Sequence, residues 1–211
     1  RFILKGALLL RVWCAPTARP TIDIDLLGRT SNSPASLGAI VRSICQHAVA
    51  DDGLHFDAAS ISSAAIAEEA DYAGVRIRFR GTLGTARVTM QVDVGFGDVI
   101  TPGPSLVDYP TLRGLPAPKL LAYPRETVVA EKFEVMLHRG NLNSRLRDYY
   151  DVWLLSRSSS FDGPTLVEAI KKTCMRRDTR IIERPAGLSV EFAQESARQT
   201  QWKAFRRKSK L

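Results

Sequence analysis

The sequence predicts an α+β fold, with strands and helices mixed to about residue 110 and a small helical bundle after it. Three observations lead there. Residues Thr21 to Leu27 alternate with the period of two that marks a half-buried strand. Prolines crowd the stretch from Ile100 to Pro124 (Pro102, Pro104, Pro110, Pro116, Pro118 and Pro124). Beyond that stretch the apolar spacing changes to the 3.6-residue period of helices. A boundary is therefore expected there, giving domains 1–115 and 116–211. The chain's 211 residues, 45% of them hydrophobic, suffice for one good core or two small ones.

Phe2-Ile3-Leu4 reads as a short strand, Lys5-Gly6 as a turn, and Ala7 to Trp13 as a helix. A loop with Pro16 and Pro20 leads into the strand Thr21 to Leu27, with Ile22, Ile24 and Leu26 on one face and Asp23 and Asp25 on the other. Ser36 to Ala50 carries Leu37, Ile40, Val41, Ile44 and Ala48 at helical spacing. Glu68-Glu69 reads as a solvated helix face. Two strands, Val75 to Arg80 and Arg87 to Phe96, are joined through residues 81–85 as a hairpin with a glycine-containing loop. Helices are predicted over Glu126 to Arg139, stopped by Gly140, and over Ser144 to Arg157, Thr165 to Met175 and Ser189 to Lys208. Tyr149, Tyr150 and Trp153 match the apolar stripe of the second of these and read as core.

Composition narrows the function classes. Apolar runs such as Ala7 to Leu10 are too short to span a bilayer, so no membrane partner is expected. No signal peptide is visible. The chain opens on Arg1 with what reads as a buried strand, so the natural protein is expected to extend upstream, with N-terminal helices. Cys14, Cys45 and Cys174 are scattered and odd in number, which argues against a disulfide framework and for reduced thiols in a cytoplasmic protein. Cys14 and Cys45 read as core. His47, His55 and His138 have no metal-ligand spacing and read as surface histidines. The net charge of +8 is uneven: Lys203, Arg206, Arg207, Lys208 and Lys210 cluster, and Arg76, Arg78 and Arg80 share a strand face. This distribution favours a nucleic acid over simple solubility.

Chemistry concentrates at the carboxylates. Asp23 and Asp25 point the same way from one strand, and their repulsion makes it costly to ionise both. A divalent cation removes that cost; Mg²⁺ takes one or two carboxylates together with substrate phosphates. Asp93 adds a third carboxylate on the polar face of another strand. If the strands are neighbours, the three suit two-metal phosphoryl transfer. The plainer reading is the solvent face of an edge strand. Gly6 weighs against it, because a glycine turn opening a helix presents backbone N–H groups to a phosphate, with Lys5 beside it.

These residues resemble a known family. Residues 4–9 (LKGALL), 19–28 (RPTIDIDLLG), 91–98 (QVDVGFGD), 123–133 (YPRETVVAEKF) and 147–153 (RDYYDVW) are similar, in order, to motifs of AbiEii-type nucleotidyltransferases. The resemblance runs over nearly the whole chain. It implies a DNA polymerase β-like core, a mixed sheet flanked by helices, followed by a helical C-terminal part. It further implies a toxin of a toxin–antitoxin or phage-defence system, with a cognate antitoxin. Such a toxin would transfer NMP from an NTP to an RNA hydroxyl such as a tRNA 3′ end, using Mg²⁺ or Mn²⁺. In one respect the chain departs from the family: Ala7 and Leu8 follow Gly6, where many members carry a hydroxyl residue.

Lys132 lies among Val128, Val129, Val135 and Met136 at helical spacing. Snorkelling to water is one account; the resemblance implies a role on the NTP phosphates. Asp148 and Asp151 share a helix face, and Arg147 is spaced to pair with Asp151. The resemblance implies an essential acid here. Asp148 is taken for the direct role, and Asp151 for orienting Lys132, Arg147 or the base. The expected catalytic set is Asp23, Asp25, Asp93, Lys132 and Asp148, with Asp23, Asp25 and Asp93 on the metals. Lys5, Gly6, Lys132, Arg147 and Asp151 are expected at the nucleotide. Asp98, after two glycines beside Asp93, reads as supporting or as a turn residue. Other readings are transfer to a protein or small-molecule hydroxyl, a nonenzymatic nucleic-acid-binding module, and a metal-dependent nuclease. The three carboxylates argue against the binder, and the nuclease needs neither Gly6 nor Lys132.

Overall fold

Apolar residues at alternate positions of neighbouring strands assemble one face of a mixed sheet, and a helix covers it. The computed structural model describes residues 1–14, 18–66, 74–111 and 115–211. The Glu68-Glu69 pair lies outside the described residues. By Cα proximity the chain divides into two compact units, Arg1–Lys5 with Thr21–Gly97, and Gly6–Pro20 with Asp98–Leu211. The division thus falls at Gly97 rather than at residues 115 and 116, and Gly6–Pro20 groups with the later residues.

The first unit contains β1 (Phe2–Lys5), β2 (Asp23–Gly28), α2 (Pro34–Cys45), β3 (Leu54–Ile66), β4 (Gly74–Leu83) and β5 (Ala86–Gly95). Its strands lie in the order β3-β4-β5-β2-β1. The β2–β5 pair is parallel and the others are antiparallel. Val75, Ile77, Phe79, Val92 and Val94 are buried with Leu37 of α2, while Ile24, Leu26, Ile40 and Val41 pack against them. The two-residue turn Gly84-Thr85 joins β4 to β5, tighter than the predicted loop, and Gly84 supplies the positive φ it needs.

Three boundaries in this unit differ from expectation. β2 starts at Asp23, and Ile22, expected to face inward, is 82% exposed. α2 starts earlier because Ser33 caps it, accepting from Ser36 N, and Pro34 fits its first turn. It stops at Cys45 rather than Ala50. Asp51 and Asp52 accept from Gly53 N and Leu54 N, and such local turns compete with a helix. β3 was not predicted: it shifts register between Asp57 and Ser62 and is largely exposed, so its sequence has no clean alternation.

The second unit contains α1 (Leu10–Cys14), β6 (Ser105–Asp108), β7 (Lys119–Ala122), α3 (Arg125–Arg139), α4 (Leu146–Ser158), α5 (Gly163–Arg176), α6 (Val190–Gln194) and α7 (Ser196–Ser209). The proline-rich stretch, expected to be connecting chain only, carries the β6–β7 pair. Leu9, Leu10, Tyr123, Val128, Ala130, Met136, Leu154 and Leu155 are buried. Gly140, at φ +46, ends α3 as predicted. The single predicted helix from Ser189 is broken, because Glu195 adopts an extended conformation between α6 and α7. Cys14 and Cys174 are buried and Cys45 is partly buried.

Candidate active site

The polar face of the first unit's sheet carries two rows of side chains. Strand register sets Lys5 opposite Asp25, Asp25 opposite Asp93, and Asp93 opposite Arg76, so one row crosses β1, β2, β5 and β4. The next row holds Asp23, Gln91, Arg78 and Ser62. Directly opposed residues project to one side of a sheet, so Asp23, Asp25 and Asp93 share a face, as predicted. Arg76 grips Asp93 through both oxygens, with Nε to Oδ1 at 2.8 Å and a terminal nitrogen to Oδ2 at 2.7 Å. The Gln91 amide donates to Asp23 Oδ1 at 2.8 Å and to Asp93 Oδ2 at 3.3 Å. Arg78 donates to Gln91 Oε1 and Arg80 to Asp57. The expected arginine stripe therefore exists, but its members are engaged across the strands. An open hollow of about 330 Å³ beside this face is lined by Ser62, Ala64, Arg76 and Arg78.

Three oxygen donors on one face fit a hard divalent cation in type and position. Yet among the described residues no group of three or more His, Cys, Asp or Glu is placed to hold a metal ion. Arg76 and Gln91 hold Asp93 and Asp23 in a hydrogen-bonded net.

The second unit carries a buried charge cluster. The Lys132 ammonium lies 2.7 Å from Asp148 Oδ1 and 2.8 Å from Asp151 Oδ2. It therefore ends on carboxylates rather than snorkelling to water. Asp151, 0% exposed, is also held by Arg19 through two 2.7 Å bonds. Arg145 approaches Asp148 Oδ2 at 3.2 Å, but its Nε–H lacks a hydrogen-bonding geometry. Burial alone would lower the pKa of Lys132; Asp148 and Asp151 outweigh it and raise the pKa. Burial would likewise raise Asp148, but Lys132 and Arg145 hold it below the usual carboxylate range.

The remaining predicted residues fall as follows. Gly6 sits at φ +74, where a side chain would be strained, and it starts a 3-10 turn (Gly6–Leu9) before the short α1 rather than opening an α-helix directly. Arg147 is exposed and does not pair with Asp151, whose oxygens Arg19 and Lys132 take. Asp98 pairs with Arg177, which also contacts Glu131 and Glu134. His47, His55 and His138 are exposed. Tyr150 is buried, but Trp153, read as core, is 57% exposed. Sequence reasoning missed the role of Arg19. Its one signal is an arginine directly before Pro20 and the carboxylate strand.

A search of curated proteins finds no match. Among solved structures, the nucleotidyltransferase toxin MenT4 of Mycobacterium tuberculosis H37Rv superposes with a TM-score of 0.52 at 16% identity. The match covers 93% of this chain and 63% of that one, so this chain spans less than two thirds of the mycobacterial protein. JHP933 of Helicobacter pylori gives a TM-score of 0.52 at 14% identity, covering 99% of this chain and 87% of the other. These likenesses establish the nucleotidyltransferase-type α+β fold. The sequence itself matches, over residues 1–210, the family described as "Nucleotidyl transferase AbiEii toxin, Type IV TA system". The chain belongs to the AbiEii nucleotidyltransferase toxin family of type IV toxin–antitoxin systems.

Proposed function

We propose that this chain transfers a nucleoside monophosphate from an NTP to an RNA hydroxyl, with a tRNA 3′ end as acceptor. It acts as a cytoplasmic toxin opposed by a cognate antitoxin. The observation that carries the reading is the row Lys5, Asp25, Asp93 and Arg76, with Asp23 beside it on the same face. Transfer between polyanions needs carboxylates for divalent cations and ammonium or guanidinium groups for phosphates, and this face supplies both. Family membership supports nucleotidyl transfer, and the net charge of +8 supports an RNA acceptor.

Asp23, Asp25 and Asp93 are the residues that would hold Mg²⁺ or Mn²⁺, which would acidify the attacking hydroxyl and neutralise the departing pyrophosphate. Lys5 and the backbone N–H groups after Gly6 bind phosphate oxygens. Asp93, or a group bound to the metal, assists deprotonation of the acceptor hydroxyl. The hydroxyl oxygen bonds to the α-phosphorus, the bond to the β-phosphate bridge breaks, and pyrophosphate leaves. In the second unit, Lys132, Asp148 and Asp151 form one buried ion cluster, whose loss is expected to abolish transfer.

The test uses total RNA, Mg²⁺ and each NTP in turn, radiolabelled at the α-phosphate, with Asp23→Ala alongside. Label in a tRNA-sized band, absent with the variant, is the expected result. Label in protein or a small molecule would move the acceptor elsewhere. Absence of both label and pyrophosphate would reject nucleotidyl transfer.

A further inference from the structure

We propose that the cationic side of α7, with the exposed indole of Trp153 on α4, is the docking surface for single-stranded acceptor RNA; this rests on the transfer reading above. Between Ser196 and Leu211 the chain carries Arg198, Lys203, Arg206, Arg207, Lys208 and Lys210, and no Asp or Glu. Arg198 is committed: it donates to the Asn141 and Asn143 carbonyls and lies over the Phe192 ring. The other five are exposed, and none of them makes an ion pair among the described residues. Arg76, Arg80, Lys119, Lys132, Lys172 and Arg177, by contrast, each face a carboxylate.

The anchored side of α7 shows how the cations are held outward. Trp202 and Phe205 stack at 5.4 Å, Phe205 meets Tyr150 of α4 at 6.0 Å, and Tyr150 meets Trp153 at 5.7 Å. Trp202 and Phe205 face inward, so Lys203, Arg206 and Arg207 stand at three- and four-residue spacing on the flank and outer side. The ring series ends at Trp153, which is 57% exposed, with exposed Arg157 one turn further along α4. A free aromatic face beside a cationic helix is the combination that holds single strands, through phosphate contacts and base stacking.

The plainer accounts fall short. A helix dipole favours cations in the last turn, but Lys203 lies before it. A bilayer would need an apolar face, and α7 has no Leu, Ile or Val from Ser196 to Ser209, while its two aromatic rings are packed on the fold. An acidic protein would use the charge but not the indole.

The test is fluorescence anisotropy of the full chain with a fluorescein-labelled, mixed-sequence single-stranded oligoribonucleotide over a KCl series, without NTP or divalent ion. Wild type is compared with Lys203→Gln/Arg206→Gln/Arg207→Gln, Trp153→Ala and Lys172→Gln, with circular dichroism checking the fold. Each lost phosphate contact lowers the slope of log K against log salt by about 0.7, so the triple variant should lose about 2. Trp153→Ala should weaken binding about 5- to 150-fold at unchanged slope. Lys172→Gln, which removes a cation outside this surface, should bind like wild type. Equal binding and slope in wild type and triple variant would overturn the surface, as would no binding by wild type. Preferential binding to polyglutamate or phosphatidylserine vesicles would overturn it too. The two readings separate cleanly. Binding as expected without nucleotide transfer removes the transfer reading alone. Transfer with an unchanged KM for RNA in the triple variant removes the docking surface alone.

Discussion

Replacing Lys132 with methionine keeps the apolar stem and deletes the charge between two buried carboxylates. Asp151 retains its paired bonds to Arg19, both at 2.7 Å. Asp148, 5% exposed on its side chain, retains only Arg145 at 3.2 Å. Breaking a buried ion pair by removing one partner costs about 3–5 kcal/mol. Because Arg19 still serves Asp151, the expected loss lies at the lower end, about 3 kcal/mol. For a chain of this length that corresponds to a fall in Tm of roughly 6–12 °C. The pH dependence has a defined sign. Asp148 is held below its unfolded value, so its contribution is present above about pH 4 and is lost as pH falls through the folded value. Lys132 is raised, so its contribution is complete below about pH 10 and is lost only as pH rises beyond that. The gap between wild type and variant should therefore be full at pH 7 and close in acid. Urea unfolding at neutral and acid pH measures it. Adding Asp148→Asn should restore at least half the loss. A loss under about 1 kcal/mol at pH 7, or no recovery in the double variant, would refute the cluster's energetics.

Four further outcomes follow from the same contacts. Asp23→Ala should abolish nucleotide transfer in the radiolabelling assay while leaving the circular dichroism spectrum unchanged. Arg76→Ala removes both guanidinium bonds from Asp93 and leaves the Gln91 amide on Oδ2, and such a partly exposed pair is worth up to about 1 kcal/mol. Mn²⁺ should then bind about fivefold tighter by titration calorimetry, and Asp25→Asn should reverse the gain. Gly6→Ala forces a side chain to φ +74 and should cost about 1–2 kcal/mol in thermal unfolding. Gly187→Ala would set a Cβ 2.9 Å from the Met136 carbonyl oxygen and 3.1 Å from the Tyr149 hydroxyl, so its Tm should fall by several degrees.

Much of this architecture was legible because single-strand patterns are local. The alternation in β2 and β5 set Asp23, Asp25 and Asp93 on polar faces, and the parallel register then brought Asp25 beside Asp93. Gly140 ended α3 where a positive φ was needed. What was not legible depends on partners distant in sequence. Arg76 and Asp93 meet across a hairpin, and nothing in either strand alone announces a bidentate pair. Arg19 and Asp151 are 132 residues apart, so the nearer Arg147 was the natural but incorrect choice of partner. Trp153 matched a helical stripe, yet periodicity cannot say how wide the covered part of that stripe is. β3 escaped because a bulge and an exposed edge erase the pattern on which strand prediction relies.

The Arg19–Asp151 pair has a consequence for natural variation. Its fork geometry, closed by two bonds inside the fold, tolerates neither lysine at one end nor a longer acid at the other without loss. Within a lineage the two positions should change together or not at all. In a genetic selection for inactive alleles, lesions at either position should give one phenotype. The suppressor of an acidic residue at position 19 should be a basic one at position 151. Arg19 also stands four residues before Asp23 in the chain, so an allele of Asp151 can silence the protein without that carboxylate ever touching a substrate.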